Sequence, residues 1–295
     1  LRVIMLASVD WDRLTTFKFN GTEMAKIVID SAYGFPEMRA RHFVNEHWYF
    51  FVQMSILYFF AIFGIKFFMR NRQPFDLQRP LNIWNAFLAV FSTAGAIFMA
   101  PDFFGVLYNR GWRGSYCDRY GMLSGTNGLW TYLFMMSKLF EFTDTFFIVL
   151  RKKPLMFLHW YHHILTLIYG VFSYPESPAF NRWGIYLNFA VHSVMYSYYF
   201  LRSLGVKIPG KIAKIITTLQ ILQFVQSIVV LLFLGVEQYV LGWHDCDWNA
   251  SSYWMAVFMD WTYLLLFINF FLQSYIFKGG KDKYKQVSKD EKKKE

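Results

Sequence analysis

Cysteine is nearly missing from this chain. Cys117 and Cys246 are the only two in 295 residues, and no Gly-x-Ser-x-Gly stretch occurs. The ordinary signatures of a serine or cysteine acyl-enzyme are therefore absent. Charge is scarce as well. Only 17% of residues are charged, against 55% hydrophobic and 22% aromatic, with a mean hydropathy of +0.24. That balance excludes an ordinary soluble domain. No Ser/Gly-rich linker and no internal repeat divides the chain. The first 45 or so residues lack the charged head and apolar run of a secretory signal. The sequence opens on Leu1 rather than an initiator methionine, consistent with a fragment or an alternative product.

What is present is a series of apolar runs near the ~20 residues that a bilayer-spanning helix needs. Seven are read: 48–69, 82–108, 129–150, 155–173, 180–202, 212–235 and 252–277. Short connections join them, which predicts one all-α polytopic membrane domain over 48–277. Residues 1–47 precede it, and a basic tail, 278–295, follows.

The net charge of +10 is informative through its placement. Cytosolic loops of membrane proteins carry the Lys/Arg excess. The first loop holds Lys66, Arg70, Arg72 and Arg79. The third holds Arg151, Lys152 and Lys153, and the fifth Arg202, Lys207, Lys211 and Lys214. The tail carries eight lysines against four acids, whereas the loop VEQYVLGWHDCDWNAS has no Lys or Arg. Arg110, Arg113 and Arg119 in the second loop run against the pattern. On balance the N-terminus is expected in the lumen and the C-terminus in the cytosol. A nucleic-acid binder would not string its basic residues between membrane spans.

This topology places the sequons Asn20-Gly-Thr22 and Asn249-Ala-Ser251 in the lumen, where glycosylation occurs. Cys117 and Cys246 fall there too, and a disulfide between them is expected. The terminal KKKE has lysines third and fourth from the end, the pattern of a dilysine endoplasmic reticulum retrieval signal.

Ionisable residues inside spans are costly and usually face the protein interior. Here they concentrate in adjacent spans. Lys138, Glu141, Asp144 and Thr145 share one helical face, as do His159, His162 and His163. Asn188, His192, Met195, Tyr196 and Tyr199 share another. Thr217, Gln220, Gln223 and Gln226 recur at steps of three. Taken alone, the glutamines and Asp260 read as hydrogen-bonding between helices. The histidines match Lys138, Glu141 and Asp144 in depth, in the cytosolic half. Histidine ligates metals, transfers protons or attacks as a nucleophile. HxxHH is also a histidine box of membrane di-iron desaturases and hydroxylases. Only four of the seven histidines lie in spans, with His42, His47 and His244 outside them, which argues against such a metal site. A seven-span receptor or transporter that binds a ligand without chemistry is the other alternative.

Four segments together carry a resemblance: KLFEFTDT (138–145), HWYHH (159–163), NFAVHSVMYSYY (188–199) and TTLQILQ (217–223). They match, in order and spacing, the KxxExxDT, HxxHH, NxxxHxxMYxYY and TxxQxxQ motifs. The chain thus resembles the fatty acid elongases, the 3-ketoacyl-CoA synthases of the endoplasmic reticulum. The Trp-Tyr pair inside the histidine box is similar to branches that extend chains of about C16–C18, saturated or unsaturated, an acyl length on the order of 20 Å that fits between the histidine level and the lumenal edge of a ~30 Å hydrocarbon core.

The resemblance implies seven transmembrane helices, the last six forming a barrel around an acyl tunnel. It implies condensation of an acyl-CoA with malonyl-CoA, losing CO2 and CoA, with no cofactor and no metal. The ketoacyl reductase, dehydratase and enoyl reductase of the cycle would be partners, membrane lipid the surroundings, and a homodimer stays open. His162 would attack the acyl carbonyl, with His192 assisting and His159 and His163 beside them. Asp144 or Glu141 would orient a ring nitrogen, and Lys138 and Asn188 would stabilise developing negative charge. Tyr196, Tyr199, Gln220 and Gln223 would line the substrate site. Arg151, Lys152, Lys153 and Arg202 would hold the CoA phosphates.

Overall fold

A computed structural model describes residues 15–277, and among them the only regular elements are helices. Helix α1 is Gly21–Asp30, α2 Glu37–Phe68, α3 Gln78–Cys117, α4 Gly125–Phe140 and α5 Phe142–Leu150. They are followed by α6 Phe157–Ser173, α7 Asn181–Ser203, α8 Gly210–Gly235 and α9 Ala250–Phe271. Short π-helical turns, Val236–Val240 and Leu272–Ile276, extend α8 and α9. Such a set suits lipid, because a helix satisfies its own backbone where no water can.

Four of these helical stretches are long and apolar enough to cross a membrane: Glu37–Asn71, Gln78–Cys117, Gly210–Val240 and Ala250–Ile276. The chain is a multi-pass membrane protein. The remaining three runs of the seven read from the sequence are helical but differ in kind. The run 129–150 is split at Glu141 into α4 and α5. Helix α6 has 17 residues, and α7 has 23 but is diluted by Asn, Arg, His and Ser. The first two runs thus fall short on length, and only α7 on apolarity; together the three carry most of the polar motif residues. Helix α2 also begins eleven residues before the expected span, since Glu37, Arg39, Arg41 and Glu46 continue the helix as its polar entry. The tail with the dilysine signal lies outside the described residues.

Helix α3 packs antiparallel along α7, closely enough that a Cβ on Gly95 would lie 2.5 Å from the Phe189 ring. Helix α7 packs on α8, α8 on α9, and α9 on α6; α6 packs on α4, and α4 on α3. Helix α2 lies against α5 and α6. Near its end α3 turns at Gly111, whose φ of 68° is open to glycine and strained for other residues.

At that end the expected Cys117–Cys246 disulfide is formed. It ties the end of α3 to the loop before α9. Arg182, 1% exposed, enters the same layer and donates to the backbone oxygens of Ser115, Asp118 and Tyr120, besides pairing with Asp102 at 3.3 Å. It therefore serves as the cap that α3 lacks from its own sequence. The second-loop arginines find acids here. Arg110 pairs with Asp118, Arg113 with Glu237 and Asp245, and Arg119 with Asp247. Hydrogen bonding from Arg113 holds the Asp245 carboxyl below the usual carboxylate range. These pairs explain the three arginines that ran against the charge pattern. Both sequon asparagines are helix N-caps, Asn20 Oδ1 accepting from Glu23 N and Asn249 Oδ1 from Ser252 N, each at 3.0 Å.

Candidate active site

Helices α5 to α9 enclose a cavity of about 680 Å³, with Gln78, Leu81 and Asn85 of α3 completing one wall. Arg151, Lys153 and Arg202 line one part of it, and His159, His162, His163 and His192 another. A second, narrower space of about 90 Å³ continues from the histidines. His162, Asn188, Gln223 and Phe224 border both. The narrow space runs along α6 to Ser173, Tyr174 and Ser177, with Met122, Asn181 and Ile185 opposite. From His162 to Ser173 is about 16 Å at 1.5 Å per residue.

Helical spacing alone places the three histidines of α6 together. The His159 and His163 rings lie 4.6 Å apart between centroids, and those of His162 and His163 5.7 Å. His162 Nδ1 and His159 Nε2 are buried and have no hydrogen-bond partner among the described residues. The His162 ring instead rests against Tyr263 of α9, with centroids 4.6 Å apart. The Tyr263 hydroxyl donates to the His162 carbonyl oxygen at 2.9 Å. Tyr263 thus fixes both ring and backbone of His162.

His192 is held differently. Lys138 Nζ donates to Glu141 Oε1 at 2.8 Å and to Asn188 Oδ1 at 2.9 Å. An ammonium can only donate, so the Asn188 oxygen must face it. The Asn188 amide nitrogen then faces His192 Nε2, at 3.2 Å, and donates to it. Nε2 is consequently the lone-pair nitrogen, and the neutral ring carries its proton on Nδ1.

The two carboxylates do not orient a histidine, contrary to the expectation from sequence. Asp144 accepts from Trp84 Nε1 at 2.5 Å and from the Tyr196 hydroxyl at 2.8 Å, which joins α3, α5 and α7. Glu141 takes Lys138 and the Ser137 hydroxyl, the latter at 3.2 Å. Among the described residues these partners, and no imidazole, take the hydrogen bonds of both carboxylates. Lys138 and Asn188 spend polar atoms on Glu141, on each other and on His192, and Asn188 also borders both cavities.

Tyr196, Tyr199, Gln220 and Gln223 line the wide cavity, and Gln220 Nε2 is 3.2 Å from Met195 Sδ. Asp260 bonds Ser227 between α8 and α9, at 2.5 Å, as a residue joining helices should. Arg151 Nη2 donates to Gln78 Oε1 at 3.2 Å, and Gln78 in turn bonds the Ser203 carbonyl. Lys152 leaves the group. Its Nζ donates to the carbonyls of Arg70 and Arg72, at 3.3 and 3.1 Å, and it does not line the cavity. Its φ of 51° turns the side chain away from those of its neighbours. His42, His47 and His244 lie apart from the cavity. Trp84, Tyr263 and Gln78 were not singled out from the sequence. An aromatic residue in an apolar run gives no local signal of its partner.

The ELO family (GNS1/SUR4 family) matches residues 43–283. The chain is 55% identical over 277 residues to long chain fatty acid elongase 1 of Caenorhabditis elegans, covering 94% of this chain and 96% of that protein. It is 40% identical over 254 residues to very long chain fatty acid elongase 6 of Drosophila melanogaster, covering 86% and 80%. With the human protein of that name the identity is 39% over 251 residues, covering 84% and 92%. The motifs and the cavity they surround thus sit inside a match that spans most of the sequence, and the chain belongs to the ELO family of fatty acid elongases.

Proposed function

We propose that this elongase joins a long-chain acyl-CoA of about C16–C18 to malonyl-CoA through an acyl-histidine, the acyl tail lying in the narrow space below His162. The observation that carries the reading is the place of His162. Its ring borders both the wide cavity with the basic residues and the narrow one, and its Nδ1 has no hydrogen-bond partner among the described residues. A ring nitrogen of His162 attacks the thioester carbonyl, the C–S bond breaks, and CoA leaves as the thiol after taking a proton. Malonyl-CoA follows. Loss of CO2 leaves an enolate whose carbon attacks the acyl carbon, the C–N bond breaks, and the departing ring nitrogen takes a proton from water in the wide cavity, which returns neutral imidazole with a 3-ketoacyl-CoA two carbons longer. His192 offers its Nδ1–H to the carbonyl oxygen as charge develops there.

In this reading all seven runs cross the endoplasmic reticulum membrane. The order of packed neighbours, from α4 through α3, α7, α8, α9 and α6, supports a barrel of the last six spans. The basic residues near the wide cavity support a cytosolic mouth for CoA, with the disulfide end in the lumen. Asn20 and Asn249 cap through oxygen, which leaves the amide nitrogen as the atom for a glycan. The reductases and dehydratase of the cycle would take up the product, and the sequence leaves a homodimer open.

The chain length fits the dimensions. An acyl chain advances about 1.25 Å per carbon, so about 13 carbons beyond the thioester reach Ser173, and C16–C18 reaches the end of the narrow space. The test is an assay of purified protein with malonyl-CoA and acyl-CoAs from about C14 to C20, where each excluded methylene is worth ~1 kcal/mol. Products two carbons longer, greatest from C16–C18, are expected. No malonyl-CoA-dependent product from any of them would overturn the reading.

A further inference from the structure

The far end of the narrow space is bounded by one turn of chain, and that turn has a second cavity on its other side. Met122 is 1% exposed and borders the narrow space, together with Thr131, Tyr174 and Ser177. Its neighbours Tyr120 and Gly121 border a groove of about 590 Å³ on the outer side, formed with Phe98 and Pro101 of α3 and Thr126 of α4. Phe98 and Tyr120 are 54% and 63% exposed, so the groove opens on the surface.

The backbone of this turn is fixed. Arg182 holds the carbonyls of Asp118 and Tyr120, and the disulfide holds Cys117. Asp247 accepts from Arg119 N at 3.0 Å. Met122 N donates to Arg119 O at 2.9 Å, and the Thr131 hydroxyl donates to Met122 O at 3.4 Å. Gly121 adopts a φ of 70°, and a Cβ there would lie 2.9 Å from Asp102 Oδ1. What can move between the two cavities is the Met122 side chain. It is unbranched, with three rotatable bonds, and packs among Met99, Ile185 and Phe189.

We propose that Met122 is the stopper of the acyl tunnel. When the acyl chain outgrows the narrow space, Met122 changes rotamer, and the last carbons pass into the groove between α3 and α4. Met122 therefore sets the upper limit of chain length, and it does so gradually because it yields rather than blocks. This inference rests on the elongase reading and on the direction given there for the acyl tail.

Two measurements test it. The first is the product profile with malonyl-CoA and acyl-CoAs of increasing length. Met122→Ala should raise the longest accepted chain by about two to four carbons, the space of the deleted side chain. Adding Thr126→Trp, which fills the groove from α4, should return the Met122→Ala profile to the parent's. An unchanged profile for Met122→Ala overturns the stopper, and a gain that Thr126→Trp does not reverse overturns passage into the groove. The second serves if Met122→Ala fails to fold. An acyl-CoA with a terminal diazirine is irradiated on the unaltered protein and the labelled peptide mapped. For a chain that fills the narrow space, label should fall on Met122 or on Thr131 and Tyr174 beside it. For a longer chain it should fall on Phe98, Pro101 or Thr126. Label confined to other helices overturns the inference. Because labelling needs no turnover, it is read independently of whether any condensation product forms.

Discussion

Lys138 Nζ and Asn188 Oδ1 are 2.9 Å apart, and that contact, made between α4 and α7, decides which nitrogen of His192 carries the proton. The chain Glu141–Lys138–Asn188–His192 makes the first motif a support for the third. Asn188→Ala should therefore lower kcat about 10- to 100-fold through a misplaced imidazole, with KM for acyl-CoA little changed. Asn188→Asp should be no better, because a carboxylate cannot donate to Nε2. Steady-state assay of both variants checks this. An equal rise in KM would place Asn188 against the substrate instead.

His162 should take the acyl group before malonyl-CoA arrives. With acyl-CoA alone, about one equivalent of free CoA is expected per protein, together with a mass gain of one acyl chain on the peptide containing 159–163. His162→Ala should lose both. Stoichiometric CoA release from that variant would instead leave His162 a role as general base.

Asp144 is the junction of Trp84 and Tyr196, so its substitutions should separate by hydrogen-bonding capacity. Asp144→Ala leaves an indole N–H and a hydroxyl without their acceptor at the wall of the wide cavity, a cost of about 1–3 kcal/mol. Asp144→Asn keeps an acceptor for Trp84, and its amide can donate to the Tyr196 hydroxyl, which reverses its own role. Thermal unfolding in detergent should show a large loss for Ala and a small one for Asn. Similar losses would mean that Asp144 acts through its charge.

The pairing of Cys117 with Cys246 closes a loop of 129 residues, long enough for about 4–5 kcal/mol in the chain-entropy view. Cys117→Ser should accordingly lower the unfolding temperature. Condensation measured below that temperature should stay close to the parent's, since the bridge lies at the end away from the histidines. A loss of kcat without a loss of stability would contradict that division.

These residues also mark what the sequence makes legible. His159, His162 and His163 were recoverable because an α-helix turns every 3.6 residues, so spacing alone puts them on one face. The disulfide followed from two cysteines in loops assigned to one side. The partners of Asp144 and Lys138 were not recoverable. The resemblance implied that a carboxylate would orient an imidazole, yet the choice among Trp84, Tyr196, Ser137 and the histidines depends on how helices are rotated against one another. No single-helix period encodes that rotation. Lys152 failed for another reason. Its unusual φ is a property of the chain reversal after α5, and Arg151-Lys152-Lys153 reads simply as three similar cations.

That difference gives the sharpest test of the mouth. Arg151 lines the wide cavity and is steadied by Gln78, whereas Lys152 is turned back onto the carbonyls of Arg70 and Arg72. If the cavity takes the CoA phosphates, a guanidinium held in place contributes a charge-assisted hydrogen bond worth about 1.5–3 kcal/mol. Arg151→Gln should then raise KM for acyl-CoA about tenfold, with kcat nearly unchanged. The effect should shrink as salt rises, because a mouth open to water is screened over about 10 Å at 0.1 M. Lys152→Gln should leave KM within about twofold and should cost only the small stability of exposed hydrogen bonds. Measuring both variants at low and high salt separates position from mere charge. If Lys152→Gln raised KM as much as Arg151→Gln, the phosphates would be held by the diffuse positive field of the loop rather than by the lining of the cavity.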